Sequence, residues 1–397
     1  MLAQIFCFGL LLWAAVSRLI RRRAVRRLEQ AKGCHPITKR YPHLDIFGGL
    51  DLSIQIWREF RRGELSEGMK RRHDRYGSTF MAKGLGSECI YTIDHHNIRT
   101  VTTTNFDHWG KSAWVEEAAK HVGNGVLLNE GEAWKTSRNL LRPIFTRTAA
   151  DTPSLLEPHL QRLIGIMRAK RGAAFDFQRL AGVFVLDVTT EFLFGQPTNC
   201  LAGGAAAEDA LHFLALVKQF EPPSAMFMAV GALAWLQLLP NYRALIQCVT
   251  GMKSFFRRRL DSIIASGKTP PPLSSSAESR TATTSSSPNV FRMMKAQGIP
   301  RERIQGELQN IFFASYDTTT ALLSNLVELL ARNTGVQQRL REEIAQCLEG
   351  RRAKSQDLVR MEYLQCVISE GKLQKPPFGK LWGSPCVCVC VKQRLKR

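Results

Sequence analysis

The sequence predicts a mainly α-helical protein with one small β-sheet, and three observations carry that prediction. Apolar residues recur at helical spacing through most of the chain after Glu132, as they do from Phe177 to Phe194. Only two strand-like runs stand early in the chain, Thr79-Phe80-Met81-Ala82 and Cys89-Ile90-Tyr91-Thr92, on either side of Gly84, Gly86 and Ser87. A chain of 397 residues that is 44% hydrophobic can bury a large core, as two lobes or one big helical domain.

Met1 to Ser17 carries only Gln4 and Ser17 as strongly polar side chains, and Leu19 and Ile20 extend the apolar run past Arg18, which can snorkel. About twenty residues suffice to cross a bilayer. No cationic segment precedes the run and no small-residue cleavage site comes after it, so residues 1–20 read as a membrane signal-anchor rather than a removed leader. A buried core helix is the alternative. Arg21, Arg22, Arg23, Arg26 and Arg27 would hold the rest of the chain on the cytoplasmic side.

Residues 21–49 form a basic linker that stiffens through Pro36, Pro42, Gly48 and Gly49. The folded domain is predicted over 50–370, opening with a helix from Leu65 to Tyr76 and the hairpin of two strands. Helices are predicted next at Glu132 to Phe145, Leu155 to Ala169, Phe177 to Phe194, Glu208 to Phe220 and Tyr242 to Ser266. Residues 267–289, with Pro270-Pro271-Pro272 and then mostly serine, threonine and alanine, predict a disordered loop. The longest helix runs from Arg301 to Arg332, and apolar residues on more than one side of it predict burial in mid-domain. Gly335 to Leu348 and Met361 to Glu370 are two more helices.

The net charge is +21, from 55 basic against 34 acidic residues, which predicts an anionic neighbour. Six arginines between Arg18 and Arg27, directly after the apolar run, favour lipid over nucleic acid. No zinc-finger spacing or aromatic-interleaved basic motif accompanies them. Ten cysteines without a disulfide-like spacing fit a reducing compartment.

Trp134 and Arg138 stand four apart on a predicted helix, with Arg142 one turn on, so indole and guanidinium share a face that suits a carboxylate. A surface cation–π pair is the plainer reading. In Ala314-Ser315-Tyr316-Asp317-Thr318-Thr319, a threonine inside an apolar helix can turn its hydroxyl back one turn, bending the helix. An acid beside it is costly to bury unless paired or used to move protons. The alternative places Asp317 on a solvated face.

These stretches, with Asn105-Phe106-Asp107, Gly123-Asn124-Gly125-Val126, Leu141-Arg142-Pro143 and Gln337-Gln338-Arg339-Leu340-Arg341-Glu342-Glu343-Ile344, resemble the cytochrome P450 superfamily of haem-thiolate monooxygenases, of the fungal alkane and fatty-acid hydroxylase type. The resemblance covers roughly Cys34 to Glu370. It implies a haem whose propionate is held by Trp134 and Arg138, Ala314 against the cofactor, and Asp317 with Thr318 supplying protons on the oxygen side. It further implies NADPH as electron source through a partner reductase, the endoplasmic reticulum membrane as location, and a lipophilic substrate: an alkane, a fatty acid or a secondary metabolite. Apolar side chains from Phe220 to Leu239, among them Phe227, Met228 and Trp235, would suit one.

Departures from the family pattern are equally legible. Ser315 replaces a glycine. Glu370 opens a Glu-x-x-Arg mark whose arginine is here Leu373, and were Glu370 buried without it the cost would be about 3–5 kcal/mol. Cys386 lacks the Phe-x-x-Gly-x-Arg-x-Cys-x-Gly setting of an iron ligand, so no residue is assigned to the metal. Residues 371–397 therefore read as a tail foreign to the family, in a fold lacking its C-terminal haem-ligand section. Cys386-Val387-Cys388-Val389-Cys390 alternates as a strand would and as a TG dinucleotide repeat encodes, which fits intron or frame-shifted sequence. The alternative function is a catalytically inactive membrane-bound remnant.

Overall fold

The computed structural model describes residues 37–45, 49–84, 87–111, 122–148, 152–230, 240–265, 289–374 and 387–390, with scattered positions in 16–27 and at 115 and 119. Most of the predicted anchor, the predicted disordered loop up to 288, and the tail beyond Gln374 other than 387–390 lie outside the described residues. Among the described residues no helix is long and apolar enough to cross a membrane.

The chain enters a small α/β lobe through α1 (Leu50–Arg62) and α2 (Leu65–Tyr76). Leu50, Leu52, Ile54 and Ile56 alternate like a strand, which hides α1 from a periodicity reading. Gly49 starts it with φ +114, and a Cβ there would collide with the Lys83 carbonyl, so only glycine lets the helix begin against the sheet. β1 (Thr79–Gly84) and β2 (Ser87–Thr92) pair antiparallel from Thr79–Thr92 to Gly84–Ser87, and β3 (Val387–Cys390) pairs antiparallel with β2. Leu52, Phe80, Ala82, Cys89 and Tyr91 form this lobe's core. Beside it Arg72 donates to Glu59 at 2.6 Å, both side chains being almost wholly buried. That ion pair fastens α2 to α1.

Past a short helix α3 (His95–Arg99), the chain is helical: α4 (Gly131–Thr148), α5 (Thr152–Ala169), α6 (Phe177–Phe194), α7 (Ala205–Val230), α8 (Pro240–Ala265), α9 (Val290–Ala296), α10 (Arg301–Arg332), α11 (Thr334–Leu348), α12 (Ser355–Arg360) and α13 (Glu362–Gln374). The predicted α2, α6 and α10 match these bounds, whereas the short α9 and α12 were not anticipated. The main core joins α4, α6, α7, α8 and α9 to α10 through Leu186, Phe213, Phe255, Phe256 and Phe312. Phe213 stacks on Phe255 at 4.2 Å and meets Phe312 edge-on at 5.0 Å. At Gly182 a Cβ would come within 2.9 Å of the Tyr316 hydroxyl, which is how closely α6 approaches α10.

Burial of α10 is uneven, which corrects the prediction of a helix sunk in mid-domain. Ile304 to Phe312 is largely buried, while Leu322, Leu323, Leu326, Leu329 and Leu330 stay partly exposed. In this second half Leu326 lies against Gly371 of α13.

Replacing Arg72 by Met leaves the buried Glu59 carboxylate with only Gln55 and the exposed Arg71 within reach. Unfolding free energy in urea is expected to fall by about 3 kcal/mol, and the Glu59→Leu/Arg72→Met double variant to recover most of it.

Candidate haem-edge and oxygen-side site

α4 begins by presenting Trp134, half-buried, and Arg138, exposed, with the guanidinium carbon 5.4 Å from the indole centroid. Phe106 packs on Trp134 at 5.0 Å, and Lys135 reaches Asp107 at 3.7 Å, so Asn105-Phe106-Asp107 braces this turn. On the helix's inner face the buried Ser137 accepts from Asn129 Nδ2 at 3.0 Å. No carboxylate among the described residues lies within ion-pair reach of Arg138 or Arg142. The cation–π contact thus exists, and it leaves the guanidinium N–H groups available to an anion.

On α10 the Thr318 hydroxyl donates to the Ala314 carbonyl at 2.9 Å. Ala314 is exposed, and Asp317 and Thr318 are partly so, which makes this turn an open patch on a helix otherwise packed into the core. Ser315 folds its hydroxyl back onto the Phe312 carbonyl at 3.2 Å, so the group that replaces the family's glycine is engaged with its own helix. Phe313, beside this turn, faces Phe220 of α7 at 5.9 Å.

Hydrogen bonds link the two regions through the loop before α4. Glu307 Oε2 accepts from the Val126 N–H at 2.9 Å, and Asn310 Oδ1 accepts from the N–H groups of Leu127 and Leu128, each at 3.1 Å. Asn310 Nδ2 donates to the carbonyls of Gly123 at 3.1 Å and Gly306 at 2.8 Å. A Cβ at Gly306 would strike the Asn124 carbonyl, and one at Gly125 would strike the Asn310 side chain. Sequence reading noted the two loop glycines but missed Glu307 and Asn310. The signal was there: Glu307, Gln309 and Asn310 interrupt the apolar face of α10 in its most deeply buried part.

Glu370, whose partner in the family pattern is here replaced by Leu373, is exposed and accepts from Gln374 Nε2 at 2.6 Å, so the cost of burying it does not arise. Another cluster, His43, Asp45 and Asp51, brings three potential metal ligands together in the small lobe. His43 Nε2 accepts the Lys83 N–H at 2.8 Å, so Nδ1 carries the proton and donates to Asp51 at 2.8 Å. Both ring nitrogens are committed, which makes this a staple between linker, α1 and β1. Burial acts against the Asp51 charge, yet hydrogen bonds from His43 and the N–H groups of Leu44 and Leu52 prevail and hold its carboxyl well below the usual range.

A family model described as Cytochrome P450 matches residues 52–371. The chain belongs to the cytochrome P450 family. It is 30% identical over 356 residues to cytochrome P450 monooxygenase himC of Aspergillus japonicus, covering 87% of this chain and 61% of that protein. To cytochrome P450 monooxygenase FPY7 of Fusarium mangiferae it is 27% identical over 370 residues, covering 91% and 68%. Cytochrome P450 52C1 of Candida tropicalis is 29% identical over 304 residues, covering 74% and 57%. The chain therefore spans 57 to 68% of the length of these relatives.

The family implies a haem, and the residues here fit two of its edges. The indole N–H of Trp134 and the open guanidinium of Arg138 fit propionates, and the exposed turn at Ala314 fits the oxygen-side face of the ring. Cys200 and Cys248 do not fit its axial sulfur. Cys89 and Cys248 are buried, and burial pushes the Cys200 and Cys248 thiols up, opposite to what a thiolate ligand needs.

Because Asp51 has its carboxyl depressed, its contribution to stability is complete above the ordinary carboxylate range and is lost as pH falls through the folded value. Thermal unfolding measured between about pH 5 and pH 2 should show a steeper loss for the parent chain than for Asp51→Asn.

Proposed function

We propose that this chain supplies the propionate-holding and oxygen-side part of a haem-dependent monooxygenase that hydroxylates a lipophilic molecule: an alkane, a fatty acid or a secondary metabolite. The observation that carries the reading is the open Trp134–Arg138 row on α4, tied by hydrogen bonds to the helix that carries Asp317 and Thr318. Bound haem would supply the oxygen chemistry, drawing electrons from NADPH through a partner reductase. The chain's own groups do the rest. Trp134 and Arg138 hold the anionic edge, Thr318 keeps a hydroxyl on the oxygen side, and Asp317 holds the proton to be delivered there. Phe313 and Phe220 suit an apolar substrate beside that turn.

The basic stretch after residue 20 supports attachment to an anionic membrane, with the predicted anchor in the endoplasmic reticulum and the folded part in the cytoplasm. Residues 50–370 are proposed as the family domain, with 371 onward foreign to it.

A second reading, a family member without haem chemistry, is favoured by Glu370, which is exposed and partnered by Gln374 where the family pattern places an arginine pair.

Iron-free protoporphyrin IX keeps both propionates and needs no axial ligand, so it isolates the first reading. The full chain is expected to quench its fluorescence saturably, with Arg138→Ala weakening binding about 10- to 100-fold and Arg138→Lys falling between. No binding by the parent chain would overturn the reading. A reduced, carbon-monoxide-treated sample then separates the two functions: a red-shifted band typical of thiolate ligation supports the enzyme, and no haem absorbance supports the second reading.

A further inference from the structure

Two side chains of α10 hold the loop before α4, and neither touches the proposed reacting groups. Glu307 and Asn310 are both 0% exposed, and together they accept three backbone N–H groups from Val126, Leu127 and Leu128. The same loop is held from its outer side by Lys111, whose ammonium donates to the carbonyls of Leu127 at 2.5 Å and Asn129 at 2.7 Å. Its backbone N–H also bonds the Glu130 carboxylate.

Asn310 and Asp317 lie on one continuous helix, two turns or about 10 Å apart. On the other side, Leu128 leads within a few residues into α4, which begins at Gly131 and carries Trp134 in its first turn. No long flexible segment separates the clamp from either group. Contact at Gly125 and Gly306 is so close that the loop cannot slide along α10 without collision. Apolar packing alone would tolerate several registers, whereas directed hydrogen bonds from backbone N–H groups to buried side chains fix one.

We propose that Glu307 and Asn310 are positioning residues that set the separation between the Trp134–Arg138 row and the Asp317–Thr318 turn. They thereby fix how a bound tetrapyrrole lies between its anionic edge and its oxygen-side face. The second statement rests on the haem-edge reading; the first does not. Glu307 Oε1 has no hydrogen-bond partner among the described residues, so one carboxylate oxygen suffices for the clamp. Asn310 carries the larger share through three bonds to the loop.

The test uses spin labels carried by non-natural residues at the exposed positions Ala133 and Thr319 of the full chain, with the distance distribution read by pulsed electron paramagnetic resonance. Asn310→Leu should broaden or displace the distribution and weaken protoporphyrin IX binding about tenfold, although Trp134 and Arg138 are unchanged. Asn310→Asp, which keeps the acceptor oxygen but sets a carboxylate oxygen against the Gly123 and Gly306 carbonyls, should displace the distribution as well. Arg72→Met serves as a destabilised control and should leave the distribution unchanged. An unmoved distance in Asn310→Leu overturns the clamp, and if Arg138→Ala still weakens porphyrin binding the haem-edge reading survives. A moved distance in a chain that takes up no porphyrin keeps the clamp and overturns that reading. A moved distance with porphyrin affinity within about twofold of the parent overturns the claim that the clamp places the ligand.

Discussion

A buried polar clamp is the constraint on which the site geometry depends. Glu307 and Asn310 lie in the most deeply buried stretch of the longest helix, where an unpaired carboxylate or amide would cost several kcal/mol. Their cost is offset because they receive the backbone N–H groups of Val126, Leu127 and Leu128. Neither partner is stable there without the other. This mutual dependence lets a loop without regular structure be held as firmly as a strand, and it carries that order into the first turn of α4.

The small lobe uses the same device twice more. Arg72 and Glu59 lock two consecutive helices, and His43 with Asp51 staples the entering chain to the edge of β1. Each is a charged or polar pair held by directed hydrogen bonds, and each lies at a junction where apolar contacts alone would leave the angle between elements free. The helical body relies instead on ring packing, with Phe213, Phe255, Phe256 and Phe312 interlocked around α10.

Most of the fold was legible because long amphipathic segments speak clearly: α2, α6 and α10 follow the periodicity to the residue. What failed did so for identifiable reasons. In α1 the run Leu50, Leu52, Ile54, Ile56 mimics a strand, and the seven residues of α9 are too few for a period to show. At the site, Trp134, Arg138 and Thr318 were legible from local spacing. Glu307 and Asn310 were not, because their partners lie some 180 residues away in sequence and only the folded chain brings them together. The missing partner of Glu370 was legible too: with Leu373 where the family pattern has arginine, the carboxylate turns outward to Gln374.

The greasy flank of α10 beyond Thr320 bears on how the expressed protein behaves at the bench. Five leucines left partly wet along two and a half turns will draw the chain to detergent micelles, to hydrophobic resins and to other copies of itself. Recovery in a pelleted fraction after cell lysis is therefore no measure of an inserted N-terminal segment, since this flank offers a second apolar route to the pellet.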